Sequence, residues 1–245
     1  MIRAGTIAVL AALLPLPAGA AETGHHGWDY GVHAGPAVWG ELDAGYAACG
    51  TGQQQSPIDI SGDMAEGEAH LSFGYRAGPA TIAHLGHTIQ VNLPPGNGLT
   101  FDGKRYELIQ FHFHTPSENT FEGLHYPLET HFVHRDAEGS LAVVALMVRR
   151  GASGAADQLP LPETAGAEIS LGETFDPSGF LPGSDTHVTF AGSLTTPPCS
   201  EGVRWIVLRE SVSADAGWIS ALEARLGRNN RPVNPLHGRH LEERE

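Results

Sequence analysis

The sequence is poor in basic residues, in cysteine and in long apolar runs, and each shortage narrows what the chain can be. Lys and Arg number 14 against 28 Asp and Glu, a formal net charge of −14. A surface of that sign repels phosphate backbones and anionic lipid, so neither nucleic acid nor a membrane surface is expected as a partner. No later stretch approaches the roughly 20 apolar residues that a bilayer-spanning helix needs. No period of about 20 to 50 residues recurs, which argues against solenoids and arrays. No G-x-S-x-G elbow is present to make serine-type ester hydrolysis the main activity.

What the chain does have begins with Arg3, an apolar run from Ile7 to Leu16, and Pro17-Ala18-Gly19-Ala20-Ala21. A charged start, a short hydrophobic core and a small-residue site of the A-x-A type predict a signal peptide over residues 1–20, cut after Ala20. No Cys follows the run to carry a lipid anchor. Residues 21–245 are then expected to form a single domain, exported to a periplasm or secreted. In that setting Cys49 and Cys199, the two cysteines, read as a disulfide closing a loop of about 150 residues, for which chain entropy gives roughly 4 to 5 kcal/mol. Such a bridge ties the Leu194-Thr195-Thr196-Pro197-Pro198 loop to the N-terminal part of the fold.

Thirty-one Gly and 17 Pro favour many short strands joined by turns. Strand-length runs rich in β-branched and aromatic residues occur at Ala80 to Leu93, Leu99 to Phe113, Glu129 to Arg135, Leu141 to Val148, His187 to Leu194 and Arg204 to Val212. Asp102-Gly103 and Glu138-Gly139 stand where hairpin turns belong. One helical pattern runs from Ala214 to Leu226, stopped by Gly227, while 152–157 reads as loop and His25 to Tyr46 as an irregular segment packed by its aromatics.

Two of these runs carry chemistry. Along Gln110-Phe111-His112-Phe113-His114 alternate side chains share a face, so two imidazoles project together beside Gln110. Glu129, His131 and Val133 likewise share a face. If the two strands pair in register, His131 completes a three-nitrogen cluster: three ligands for zinc with the fourth position open, the pattern of a catalytic site. Gln110 and Glu129 lie where they can take the second ring N–H of His112 and His131. A 2-His-1-carboxylate iron site with Glu129 as a ligand is the competing metal reading.

Taken in order, Gln54-Gln55-Ser56-Pro57-Ile58-Asp59-Ile60, the Gln110 to His114 run, Ser117-Glu118, Glu129-Thr130-His131-Phe132-Val133, Leu194-Thr195-Thr196-Pro197-Pro198-Cys199 and Arg231-Pro232-Val233-Asn234-Pro235-Leu236 resemble the motifs of the α-class carbonic anhydrases, along nearly the whole mature chain. The resemblance implies a mostly β (α+β) fold, a large twisted, mostly antiparallel sheet of about ten strands with short peripheral helices. It implies zinc-dependent, reversible hydration of carbon dioxide to bicarbonate and a proton, by attack of a hydroxide held on the metal.

Residue by residue, it implies Glu118 accepting the Thr195 hydroxyl proton so that Thr195 orients the nucleophile, and the Asn229 carbonyl supporting His114. Val133, Val143, Leu194, Thr196 and Trp205 match the substrate pocket, and His87 the proton shuttle, with Tyr30 and Gln90 in its water network. The sequence departs from many members at Leu85, where an Asn is common, with His84 beside it, and at Thr115 in place of a Trp. A non-catalytic binding module on the same fold is the alternative from another class; such relatives would be expected to have lost ligand histidines, and all three stand here. The oligomeric state is not set by the sequence, and a homodimer is allowed.

Overall fold

The computed structural model describes residues 27–244, so the leader read over residues 1–20 lies outside the described residues. A thirteen-stranded sheet dominates. Its main path has ten strands, running in space as Glu168–Ser170, Thr81–His84, Ile89–Asn92, Lys104–His114, Leu128–Arg135, Leu141–Gly151, Glu201–Leu208, His187–Ser193, Glu242–Arg244 and Ala65–Glu66. Leu71–Phe73, Gly98–Phe101 and Val212–Asp215 attach beside that path.

The sheet is mostly antiparallel, as expected, with parallel pairs mixed in: Glu242–Arg244 runs parallel to Ala65–Glu66, and the others lie along Leu141–Gly151. At eleven residues it is long enough for two parallel neighbours in succession, Ala142 to Ala145 beside Arg204 to Val207 and Val148 to Gly151 beside Val212 to Asp215.

Local chemistry sets the turns. Asp102 and Gly103 both take positive φ, 48° and 75°, in the two-residue loop that returns Gly98–Phe101 onto Lys104–His114. The Ala80 to Leu93 run, read as one strand, is instead a hairpin. The Leu85 N–H bonds the Thr88 carbonyl, Gly86 takes φ +88°, and Ile89–Asn92 returns along Thr81–His84. The helix read from Ala214 starts two residues later, at Ala216–Leu226, because Ser213 and Ala214 are held in a strand; Asp215 then caps it by accepting from the Trp218 N–H.

Both faces of the central strands are covered, which explains their almost continuous apolar sequence. Along Leu141–Gly151, Ala142, Val144, Leu146 and Val148 enter one core with Phe111, Phe113, Phe132 and the helix residues Ile219 and Leu222. Val143, Ala145 and Met147 enter the other, with Trp205, Val207, Phe190, Ile58 and Ile60. A third cluster gathers Trp28, Trp39, Tyr30 and Tyr46 around a Cys49–Cys199 disulfide, the pair expected from the sequence. No helix among the described residues is long and apolar enough to cross a membrane.

Candidate metal centre

One irregularity turns the histidines toward a common point. Lys104–His114 pairs with Leu128–Arg135 in two registers, Leu108 opposite His134 but Gln110 opposite Val133, with Ile109 bulged between them. Before the bulge the even-numbered Tyr106 and Leu108 face the first core; after it the odd-numbered Phe111 and Phe113 do. The extra residue thus swaps the faces, sending Gln110, His112 and His114 to the opposite side of the sheet. There His112 lies directly opposite His131, with Gln90 as its other neighbour.

The three rings converge. Their centroids are 5.0 Å apart for His112 and His114, 5.4 Å for His112 and His131 and 4.5 Å for His114 and His131. One ligating nitrogen from each falls within 4.8 Å of the others. The remaining nitrogens lie beside oxygen acceptors: His112 Nδ1 is 2.8 Å from Gln110 Oε1 and His114 Nδ1 2.8 Å from the Asn229 carbonyl, both hydrogen-bonded, while His131 Nε2 is 2.9 Å from Glu129 Oε1 without the alignment of a hydrogen bond. Amide and carboxylate oxygens accept, so these nitrogens carry the protons, and His112 Nε2, His114 Nε2 and His131 Nδ1 present lone pairs.

Burial holds all three imidazoles below their usual pKa, reinforced at His112 by the neighbouring His114, His131 and His87 and at His131 by His114. Neutral rings are the form a metal requires. His114 Nε2 is buried and has no hydrogen-bond partner, which costs free energy unless a metal ion or a donor meets its lone pair. The donor set therefore fits a divalent metal, and among the described residues it is the group of three such side chains able to hold one.

Glu129 is committed elsewhere. Its Oε2 accepts from the backbone N–H groups of Glu118 (2.6 Å) and Asn119 (2.8 Å), and its Oε1 accepts from Asn119 Nδ2 (2.7 Å) beside its contact to His131. Glu129 thus turns its oxygens to these three donors and lies outside the group of side chains whose ligand atoms cluster, which favours the three-histidine set over the iron reading in which it is itself a ligand. Asn119, unnoticed in the sequence, also accepts from the Ile58 N–H at 3.1 Å and so braces Glu129 against the segment that leads into the short strand Asp59–Ile60.

Glu118 is fully buried, with Oε1 accepting from the Arg231 backbone N–H at 2.8 Å and Oε2 standing 3.5 Å from His114 Nε2 and 3.8 Å from His131 Nδ1. Burial pushes its pKa well up; the Arg231 amide and the Thr195 hydroxyl pull against that. Arg231 opens the last of the sequence motifs, with no role implied for it there. Its buried guanidinium donates to Gln55 Oε1 (2.9 Å) and to the carbonyls of Ser56 (2.8 Å) and Cys49 (2.8 Å), joining its motif to the one from Gln54 to Ile60 and to the disulfide behind the site.

Beside the imidazoles the sheet presents an apolar row. Gln110, Val133, Val143 and Trp205 are successive cross-strand neighbours, and the Trp205 ring stands edge-on to His131 at 4.9 Å. Val143 and Trp205 are nearly fully buried, while Val133 and Leu194 are half-buried in the same cluster. Thr195 and Thr196 follow Leu194 in a loop closed by bonds from the Leu194 N–H to the Ser200 carbonyl and from the Cys199 N–H to the Thr196 carbonyl. His87 is half-buried, its ring 5.0 Å from that of Trp28. Tyr30 has its hydroxyl buried within the fields of Glu118 and Arg231, its pKa raised first by burial. Gln90 donates to Asn92 Oδ1 at 2.6 Å. His84 is buried on its strand with Nδ1 accepting from the Gly86 N–H, and Thr115 donates its N–H to Asn229 Oδ1.

Fold and site together define a β-sheet protein with a largely buried three-imidazole cluster able to hold a metal in the middle of its sheet. A family model for eukaryotic-type carbonic anhydrase matches residues 34–245. A carbonic anhydrase from Pectobacterium carotovorum is 40% identical over 236 residues, covering 94% of this chain and 96% of that protein. Among solved structures, a hyperthermostable carbonic anhydrase identified from an active hydrothermal vent chimney superposes with a TM-score of 0.85 at 41% identity, covering 89% of this chain and 100% of that one. The α-carbonic anhydrase from Thermovibrio ammonificans, in complex with the inhibitor sulfanilamide, does so with a TM-score of 0.84 at 39% identity, covering 89% and 98%. The chain belongs to the α-class carbonic anhydrase family of enzymes.

Proposed function

We propose that the chain catalyses the reversible hydration of carbon dioxide to bicarbonate and a proton, with zinc held by His112, His114 and His131. The observation that carries this is the convergence of three neutral imidazoles, one of them with a buried and unmet lone pair, on a point flanked by an apolar row. Bound there, zinc acidifies water and so supplies a nucleophile near neutral pH. Gln110, Glu129 and Asn229 orient the rings by taking their outer N–H groups. Glu118 accepts the Thr195 hydroxyl proton, which leaves the Thr195 oxygen to accept from the attacking water and aim it. Val133, Val143, Leu194 and Trp205, with Thr196 at the edge, form a pocket suited to a small molecule without a net dipole. His87 carries the proton outward, helped by the polar side chains of Tyr30 and Gln90.

Residues 1–20 act as a signal peptide and 21–245 as a single catalytic domain working in a periplasm or outside the cell, without nucleic acid or membrane as partner, as monomer or homodimer. The disulfide supports an oxidising compartment. Metal analysis together with hydration rates for wild type and His112→Ala tests the reading. Zinc at one per chain and a rate lost in the variant are expected; a zinc-loaded protein no faster than buffer would overturn it.

A further inference from the structure

The antiparallel ladder between Ile89–Asn92 and Lys104–His114 ends at the pair Gln90 and His112. The next carbonyl along, that of Phe113 between the two histidines, is met by side chains. Thr88 Oγ1 donates to it at 2.8 Å, with the Ile89 carbonyl a longer 3.4 Å away, and Asn229 Nδ2 donates to it at 2.9 Å. The same Asn229 Nδ2 also donates to the carbonyl of His87 at 2.9 Å. Every polar group of Asn229 is in use: Oδ1 accepts from the Thr115 N–H, its own N–H donates to the Thr115 carbonyl, and its carbonyl takes His114 Nδ1. Asn229 is fully buried and Thr88 is 2% exposed.

We propose that Thr88 and the Asn229 carboxamide are positioning residues that lock the His87 loop to the strand carrying His112 and His114, and so fix how far a proton must travel from the metal centre to His87. The proposal rests on the zinc and His87 reading above. Two donors from different segments, meeting on the one carbonyl between two histidines, leave the loop no independent hinge at that point. Turn and strand then move as one body, as distance-sensitive proton transfer requires. Proton export follows departure of bicarbonate, so it enters kcat and not kcat/KM, and the lock has its own kinetic signature.

Thr88→Val keeps the shape of the side chain and removes only the hydroxyl. In the zinc-loaded enzyme at low buffer concentration, kcat is expected to fall roughly three- to tenfold with kcat/KM nearly unaltered. Abundant imidazole buffer restores kcat, and Thr88→Ser restores it without added buffer. On the same protein, the ¹H–¹⁵N resonance of the His87 backbone amide broadens or splits in Thr88→Val, and again in Asn229→Asp, which removes the Nδ2 donor. Equal losses in kcat and kcat/KM, or a lowered kcat with an unchanged His87 amide, overturn the proposal. So does the absence of any change. If His87→Ala leaves low-buffer kcat intact, the shuttle reading fails by itself; the amide spectra then decide the lock alone, a disturbed His87 amide sustaining it and an undisturbed one refuting it.

Discussion

Oε1 of Glu129 lies 2.9 Å from Nε2 of His131, and the same carboxylate accepts from three N–H donors of Glu118 and Asn119. The donors fix the carboxylate, and the carboxylate fixes which nitrogen of His131 is left for a metal. Such outer partners commonly account for 10- to 100-fold, roughly, in metal affinity.

In Glu129→Gln, one donor among the Glu118 and Asn119 N–H groups must face an NH₂ instead of an oxygen. Zinc affinity is expected to fall about 10- to 100-fold, measured by competition with a chromophoric chelator. An unaltered affinity would mean that His131 is oriented by packing against Trp205 alone.

Thr195→Val removes the hydroxyl beside Glu118 while leaving the histidines untouched. The expected result is full metal content with kcat/KM reduced on the order of 100-fold, the usual loss for one oriented donor or acceptor at a reacting centre. A variant as active as wild type would remove Thr195 from the mechanism.

His134 sits on the other face of the sheet, fully buried, its Nδ1 2.9 Å from the Phe132 carbonyl and its Nε2 2.7 Å from the Tyr75 hydroxyl. Burial lowers its pKa from 6.5 to about 3. The unfolded chain therefore binds a proton at this residue that the folded chain refuses between those values, and the associated stability is present above the unfolded pKa and lost as pH falls toward 3. The residue's share of the slope is at most about 1.4 kcal/mol per pH unit. Urea midpoints of wild type and His134→Asn at pH 7 and pH 4 should converge as the pH is lowered; parallel curves would contradict a neutral buried imidazole.

Cys49→Ser with Cys199→Ser opens a loop whose ends are 150 residues apart. Removing such a bridge typically costs about 2 to 5 kcal/mol. Because Cys199 adjoins the Thr195 loop and the Cys49 carbonyl accepts from Arg231, proteolysis should attack 194–200 first in the variant. Loss of stability without any change at that loop would separate the bridge from the site.

How far the sequence could be read follows from the range of each interaction. The histidine pair, the Asp102-Gly103 turn and the period-2 strands are written in neighbouring residues, and the structure has the cluster, the hairpin and the sheet. The bulge at Ile109 shows only as the adjacent apolar pair Leu108-Ile109, where the apolar positions change from even to odd, a small mark inside a run that otherwise alternates without a break. Asn119, Arg231 and the side chain of Asn229 were passed over or given no such role because their partners lie far along the chain. Arg231 reaches Gln55 across 176 positions, and Asn229 reaches His87 across 142. The hairpin inside Ala80 to Leu93 was missed because Gly86 is the lone turn residue in an otherwise strand-like run. The three histidines and their Gln110 and Glu129 neighbours were visible locally; the bonds of Asn119 to Glu129 and of Arg231 to Glu118 and Gln55 were not.

The most direct measurement is carbon dioxide hydration by stopped flow on protein stripped of metal, then titrated with zinc. Activity should rise linearly and break at one zinc per chain for wild type, with His112→Ala remaining at the buffer rate throughout. Full activity before zinc is added, or a His112→Ala protein that matches wild type at saturation, would contradict a reaction centred on the three imidazoles.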